Sequence, residues 1–520
     1  MRGGTDGVLG EPPHRSWGRA LRDAVRPPVL RMLFLGFSAG LPLLLIFSTL
    51  SVWLREAGVD RAAVTFFSWA SLGYSFKFVW APLVDRLPVP GLTRFLGRRR
   101  GWLLVAQLAL AFAMLWTAAF DPVHHLALTG LGAVFIGFSA ATQDICIDAY
   151  RIESAEADLQ SMMSATYIAG YRVGMLVAGA GGLWLADVWG GADGYTYAAW
   201  AGVYRVMAGM MLVGILTTLV IPEPAMGGRT DSEFKATSDY VRFLVLFALA
   251  AVTFAGSFAY APQVTNAVET AITPVFGGPL AGFLAGALRF AAAVAAAVVV
   301  GLVLVQAGLT RPGHVNETYV APIADFLKRY GGLAVLVLAL IGSYRIADVV
   351  MGAVANVFYV DLGFTKSQIA AYSKVWGLLS TIAGGFVGGV FALRFGVMKA
   401  LFTGAVLAAA SNVLFAGLAE VGKDVPFLIV AIVADNASAG LASAAFVAYL
   451  SSLTSVSFTA MQYALFSSLM TLFPKVLAGY SGTFVDAVGY APFFLGTAAL
   501  GLPVLALILL AARYAPPKAA

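Results

Sequence analysis

Apolar runs of membrane-spanning length recur along this chain, at 31–54, 62–84, 101–120, 127–150, 163–187, 199–221, 242–262, 280–307, 333–358, 367–393, 398–418, 425–450, 458–481 and 491–513. A backbone surrounded by lipid must satisfy its N–H and C=O groups internally, so each run is expected to be a helix. The chain reads as an all-α polytopic membrane protein with 14 transmembrane helices. Only 12% of its 520 residues are charged, about half the share in a soluble chain. One cysteine, Cys146, excludes a disulfide framework. His14, His124, His125 and His314 lack metal-ligand spacing, and His124-His125 reads as a loop dipeptide. No metal or organic cofactor is expected, and without a nucleophile–base pair neither is an enzyme.

The cations decide orientation. With the N-terminus placed in the cytoplasm, 22 of the 33 Lys and Arg fall on the cytoplasmic side, four outside (Arg55, Arg61, Lys366, Lys423) and seven inside spans. The positive-inside rule then puts both termini in the cytoplasm, and the net charge of +6 points to a membrane surface rather than nucleic acid. Segment 1–30 reads as a cytoplasmic tail without a signal peptide. Within it, Trp17, Leu21 and Val25 recur every four residues, as in an interfacial helix, although a disordered basic tail fits as well.

An internal repeat supplies the architecture. Trp53-Leu-Arg-Glu-Ala-Gly58 and Phe358-Tyr-Val-Asp-Leu-Gly363 stand at an offset of 305, and Ser139-Ala140 with Ala149-Tyr150 matches Ser438-Ala439 with Ala448-Tyr449 at 299. Two six-helix halves are implied, 31–221 and 333–513, separated by a 222–332 linker carrying two extra spans and followed by a 514–520 tail. Two parallel six-helix halves are the plan of the major facilitator fold. Asp85-Arg86 with Gly97-Arg98-Arg99-Arg100 resembles the signature that this fold carries after its second helix, where the acid joins an interhelical charge lock. The glycines of the fifth and tenth spans, Gly174 to Gly182 and Gly377 to Gly389, read as soft spots for rocking or as close helix contacts.

Ionisable groups inside spans are costly and default to functional candidates. Asp144 and Asp148 lie four apart on one helix face, ~6 Å from each other. Lys77, Asp144 and Arg172 fall at similar depth at ~1.5 Å rise per residue, and Arg345 and Asp348 are helix neighbours. Lys77–Asp144 and Arg345–Asp348 could be fixed salt bridges. Alternatively Lys77, Arg172, Arg345 and Lys374 bind an anionic solute while Asp144, or else Asp348, carries a coupling proton. Gln143 could hydrogen-bond a sugar or peptide amide, although it points ~100° away from Asp144. Trp69, Tyr74, Tyr171 and Trp376 could stack on sugar faces or serve as packing. Asp85, Arg86, Asp148 and Arg151 read as gate or lock residues, whereas Arg205 and Arg289 read as snorkelling.

Lys77-Phe-Val-Trp-Ala-Pro-Leu-Val-Asp85-Arg86, Gly97-Arg-Arg-Arg-Gly-Trp-Leu-Leu104 and Gln143-Asp-Ile-Cys-Ile-Asp-Ala-Tyr150 resemble the AmpG family of muropeptide permeases. So do Gly170-Tyr-Arg-Val-Gly-Met-Leu176, Gly377-Leu-Leu-Ser-Thr-Ile-Ala-Gly384 and Phe446-Val-Ala-Tyr-Leu450 with Gln462-Tyr-Ala-Leu465, so the likeness runs from Gly36 to Tyr490 and thins over 222–332. It implies import of anhydromuropeptides (GlcNAc-1,6-anhydro-MurNAc and its peptides) from periplasm to cytoplasm, with protons, across a bacterial inner membrane. The family serves peptidoglycan recycling and β-lactamase induction. The same likeness implies functional positions at Lys77, Asp85, Gln143, Asp144, Asp148, Arg172, Asp348 and Lys374, and the fold suggests a monomer. A carrier of another large anion, such as acyl-CoA, or a transporter-fold receptor for cell-wall fragments are the rival readings.

Overall fold

In a computed structural model of the chain, the described residues are 26–59, 77–155, 159–190, 195–225, 237–276, 278–364, 368, 372–373, 376–478 and 481–515. Every regular element among them is helical, as lipid-facing apolar sequence requires. Among the described residues twelve helices are long and apolar enough to cross a membrane. Of the two other expected spans, 62–84 lies largely in the undescribed segment 60–76. The span expected at 458–481 is a helix, Thr459–Ala478, but falls outside the twelve.

The first part of one compact unit holds α1 Pro27–Leu44, α2 Leu50–Glu56, α3 Ala81–Arg86, α4 Leu92–Leu96, α5 Arg98–Ala119, α6 Pro122–Ser154, α7 Gln160–Leu176, α8 Gly182–Gly190, α9 Tyr197–Met210 and α10 Leu212–Val220. A second unit, Thr230–Asp325, holds α11 Thr237–Tyr260, α12 Pro262–Phe276, α13 Gly278–Gln306, α14 Pro312–Val315 and the start of α15 Ala321–Tyr330. From Phe326 the first unit resumes with α16 Ala334–Ser343, α17 Ile346–Asp361, α18 Gly377–Phe395, α19 Val397–Val421, α20 Val425–Leu453, α21 Thr459–Ala478, α22 Ser481–Val488, α23 Tyr490–Ala499 and α24 Gly501–Tyr514. In the second unit Arg289 of α13 lies against Phe258 of α11. Its Nε donates to the Phe258 carbonyl at 2.6 Å and the guanidinium covers that ring at 4.1 Å. A cation over a π face with a carbonyl beside it is already compensated.

Capping chemistry repeats between the two parts of the first unit. Asp121 and Asp424 each precede a helix with proline in its first turn, and each side chain accepts from a first-turn amide, Val123 N at 3.0 Å and Phe427 N at 2.7 Å. Gly58 and Gly363, at φ 80° and 81°, close α2 and α17 in the same way: Val59 N donates to the Leu54 carbonyl and Phe364 N to the Tyr359 carbonyl. Gly97 and Gly396, at φ 86° and 88°, open α5 and α19.

The glycine-bearing helices pack by backbone contact. A Cβ at Gly170 would lie 2.0 Å from the Leu33 carbonyl oxygen, one at Gly40 2.0 Å from that of Tyr171, and one at Gly384 2.0 Å from that of Ala437. Gly174 and Gly384 are therefore welds between helices rather than soft spots, because main chain cannot yield as a side chain can. Irregularity sits within that glycine run of the fifth span and in two other places. π-helical turns interrupt the first and fifth spans at Leu45–Thr49 and Val177–Gly181. The ninth, expected as one helix over 333–358, breaks between α16 and α17 at Tyr344-Arg345. His124 and His125 occupy the first turn of α6 rather than a loop, with a kink at His125 (φ −135°, ψ 47°).

Candidate functional site

The α6 helix carries Asp144, Asp148 and Arg151 toward the end with the basic segments. Trp80 holds the chain before α3 against it, stacking on Phe138 at 4.5 Å and donating to Thr142 Oγ1 at 3.1 Å. Lys77 was expected opposite Asp144, but its Nζ ion pair is with Asp148, at 3.6 Å. The reason is local. Lys77–Val79 is a 3₁₀ turn and α3 restarts behind Pro82, so counting residues at the α-helical rise misplaces the ammonium. Asp144 instead accepts from the Tyr167 hydroxyl at 3.3 Å and is half-buried, with the Lys77 charge nearby.

Toward the basic end, Asp85 is 3% exposed and fully engaged. It accepts from Arg99 Nη2 at 2.7 Å, and its two oxygens take Ala460 N at 3.0 Å and Met461 N at 2.8 Å. Those amides open α21, so the carboxylate also meets the positive end of that helix dipole. Arg99 in turn holds Glu153 through Nε at 3.0 Å and Nη2 at 2.5 Å. Glu223 accepts from Arg99 N and Arg100 N, at 2.8 and 3.1 Å, at the start of α5. Burial pushes the Glu223 carboxyl up despite those amides. Gly97 is obligatory here: its φ is positive and a Cβ would lie 2.3 Å from Glu223 Cδ.

Arg151, fully buried, forms a second bridge between the two parts of the unit. Its Nη1 donates to Gln160 Oε1 at 2.9 Å and to Ser451 Oγ of α20 at 2.8 Å, Asp148 Oδ1 lies 3.5 Å from Nη2, and its guanidinium covers the Tyr463 ring at 5.2 Å. Arg86 does not pair with Asp85 but stacks on Phe458 at 4.9 Å. Glu153 thus belongs to the Arg99 bridge.

On the other side, Arg345 Nε stands 2.9 Å from Asp348 Oδ2, and its Nη1 donates to Ser443 Oγ at 2.6 Å. The break before α17 leaves this pair partly accessible, with side-chain exposures of 25% and 13%. Asp435 of α20 lies within reach of both charges and, among the described residues, accepts only from Ser411 Oγ, at 3.3 Å. Sorting cations alone overlooked this acid; the same search for acids inside apolar runs finds it.

A family model described as Acetyl-coenzyme A transporter 1 matches residues 29–188. The proton:xylose symporter XylE, a major facilitator protein, superposes with a TM-score of 0.59 at 11% identity, covering 96% of this chain and 97% of its own. Among curated relatives, a putative transporter AmpG 4 of Rickettsia conorii is 30% identical over 92% of this chain and 95% of the relative. An anhydromuropeptide permease of Escherichia coli K12 is 30% identical over 94% and 80%. The chain belongs to the AmpG family of permeases.

In this AmpG-family transporter, with the major facilitator fold, the remaining expected positions separate. Gln143 is fully buried and neither side-chain polar atom has a partner among the described residues, so of the neighbouring pair it is Asp144 that keeps accessible surface. Arg172 and Tyr171 are half-buried on α7; Tyr171 lies 6.0 Å from the Tyr167 ring, and Arg172 is near enough to Arg345 for the like charges to repel. Trp376 is 51% exposed. Trp69, Tyr74, Lys374 and all but Arg26 of the tail segment 14–26 lie outside the described residues. No group of three or more His, Cys, Asp or Glu with metal-binding geometry occurs among the described residues.

Proposed function

We propose that this permease imports anhydromuropeptides from periplasm to cytoplasm, coupled to protons, by alternating access in a bacterial inner membrane with both termini cytoplasmic. One observation carries the substrate: likeness to an anhydromuropeptide permease extends over 94% of the chain. The geometry is compatible with that cargo. Arg172 and Arg345 offer charge for peptide carboxylates, Tyr171 offers a ring for a sugar face, and Lys77, Lys374, Gln143, Trp69, Tyr74 and Trp376 remain candidates for binding. Asp144, half-buried at membrane depth with a tyrosine hydroxyl as its hydrogen-bond partner, is a candidate proton carrier. Asp85 with Arg99, Arg86, Asp148 and Arg151 would form the lock that closes the basic end in one access state. The proton is the only coupling species invoked, and the protein acts as a monomer without a metal or organic cofactor.

An acyl-CoA substrate is favoured by one finding, the family model over residues 29–188. Uptake into proteoliposomes separates the readings. Labelled anhydromuropeptide should accumulate under an inward proton gradient, excess acyl-CoA should not compete, and Asp144→Asn should abolish the accumulation while binding persists. Flux of acyl-CoA without flux of muropeptide would replace the substrate. Undiminished accumulation by Asp144→Asn would remove that carboxylate from coupling.

A further inference from the structure

Among the described residues, three ionisable groups at the centre of the later helices, Arg345, Asp348 and Asp435, do not balance. Arg345 has one acid in ion-pair contact, Asp348 at 2.9 Å, and spends Nη1 on Ser443 at 2.6 Å. Asp435 has no ion pair among the described residues and one long hydrogen bond, to Ser411 Oγ at 3.3 Å. The groups facing it are Asp348 and Arg345 at the α16–α17 break, Ser411 of α19 and Tyr359 of α17, which is 4% exposed. From α7, Arg172 acts on Arg345 rather than on Asp435. On α20 itself Asn436 is spent on Thr381 of α18 and on the Ile432 carbonyl. With Asp348 and Asp435 both ionised, the described residues set one cation against two anions at membrane depth, which is costly. A proton on one acid restores neutrality. Asp348 already has a cation, so the acid left over is Asp435. It is also half-buried rather than sealed, which gives a proton a way in and out.

We infer that Asp435 is a proton-carrying residue of this transporter, with Asp348 kept as the fixed partner of Arg345. The inference rests on the proton-coupled reading above and adds a residue to it. The step is a bare transfer: the Asp435 carboxylate takes a proton from one side of the membrane and returns it to the other, with no bond changed besides O–H. Bound solute carboxylates competing for Arg345 would withdraw compensation from Asp348 and make the extra proton more necessary, which ties its uptake to loading.

Two transport assays and one binding assay on the full chain test this, using anhydromuropeptide or, if the wild type exchanges only acyl-CoA, that solute. Counterflow exchange at equal pH needs the carrier to reorient loaded but needs no net proton movement; gradient-driven accumulation needs both. Asp435→Asn should keep exchange within about threefold of wild type and lose at least about tenfold in accumulation and in dye-reported proton influx. Asp435→Glu should restore much of both, and Asp348→Asn should impair exchange and accumulation together. Retained accumulation in Asp435→Asn overturns the inference. So does joint loss of exchange and solute-induced thermal stabilisation, which would make Asp435 a binding residue. Should Asp435→Asn fail to fold, Asp435→Glu decides: influx unchanged in its pH profile overturns the assignment. A wild type that exchanges solute without proton influx removes proton coupling, and this inference with it, while leaving the permease assignment standing.

Discussion

Asp85 makes more contacts than its place at the end of a span suggests. Its carboxylate joins an arginine of α5 to the first amides of α21, so removing the charge leaves Glu153 as the one acid paired with Arg99 among the described residues and takes an anion from a helix N-terminus. Breaking a buried pair from one side costs about 3–5 kcal/mol. Asp85→Asn is therefore expected to lower the melting temperature in detergent and to populate states open at the basic end, read by spin-label distances between α3 and α21. Unchanged distance distributions would show that the other bridges suffice. Asp85 was legible from its acid–basic-loop spacing. The partners of Lys77 were not, because a 3₁₀ turn and a proline restart alter a rise that counting assumes constant. Gln143 was legible as polar but not as fully enclosed, since periodicity gives a direction and not what lies there.

Packing of the helices depends on which atoms oppose each glycine. A Cβ on Gly170 or Gly40 would lie 2.0 Å from a main-chain oxygen, whereas one on Gly179 would meet Leu44 Cδ1 at 2.6 Å, the tip of a movable side chain. Gly170→Ala should thus cost at least about 1–3 kcal/mol, as overpacking does, and Gly179→Ala distinctly less. Thermal melts of the two variants check the order, and equal melts would refute the weld. The sequence showed Gly179 within a glycine-rich run but did not single out Gly40 or Gly170; backbone opposition could not be read because it depends on the partner helix. Breaks at Leu45–Thr49, Val177–Gly181 and Tyr344-Arg345 were equally hidden, since hydropathy records apolarity and not hydrogen-bond register. The helix ends were readable: the repeated glycines at 58 and 363 close their helices with the same bond pattern.

At the basic end the two parts of the transporter meet through Asp85, Arg151 and the α7–α18 contact, where a Cβ on Gly389 would lie 3.3 Å from that of Ala165. That separation is just short of the usual Cβ spacing of a disulfide, about 3.5–4.5 Å. In a background with Cys146→Ser, Ala165→Cys combined with Gly389→Cys should cross-link on oxidation and arrest counterflow exchange, with recovery on reduction. Exchange by the oxidised protein would mean that these faces need not separate during transport. Family and fold were readable from the order of charged motifs and the doubled run of apolar segments, because both survive as spacing. The number of spans was less so, since Thr459–Ala478 is helical yet not apolar enough to count.

The glycine seams have a mechanical consequence. A helix pair in main-chain contact bends little, so α1 with α7, and α18 with α20, should turn as stiff beams. Stiff beams pivoting near the solute waste little of its binding energy on internal flexing and magnify a small rotation into a larger gap at their tips. The Arg151 bridge, to Gln160 at the start of α7 and Ser451 near the end of α20, sits at those tips, where the leverage for prising it apart is greatest. Softening a seam should therefore slow opening even with every charge in place, as a flexible crowbar fails on a sound nail.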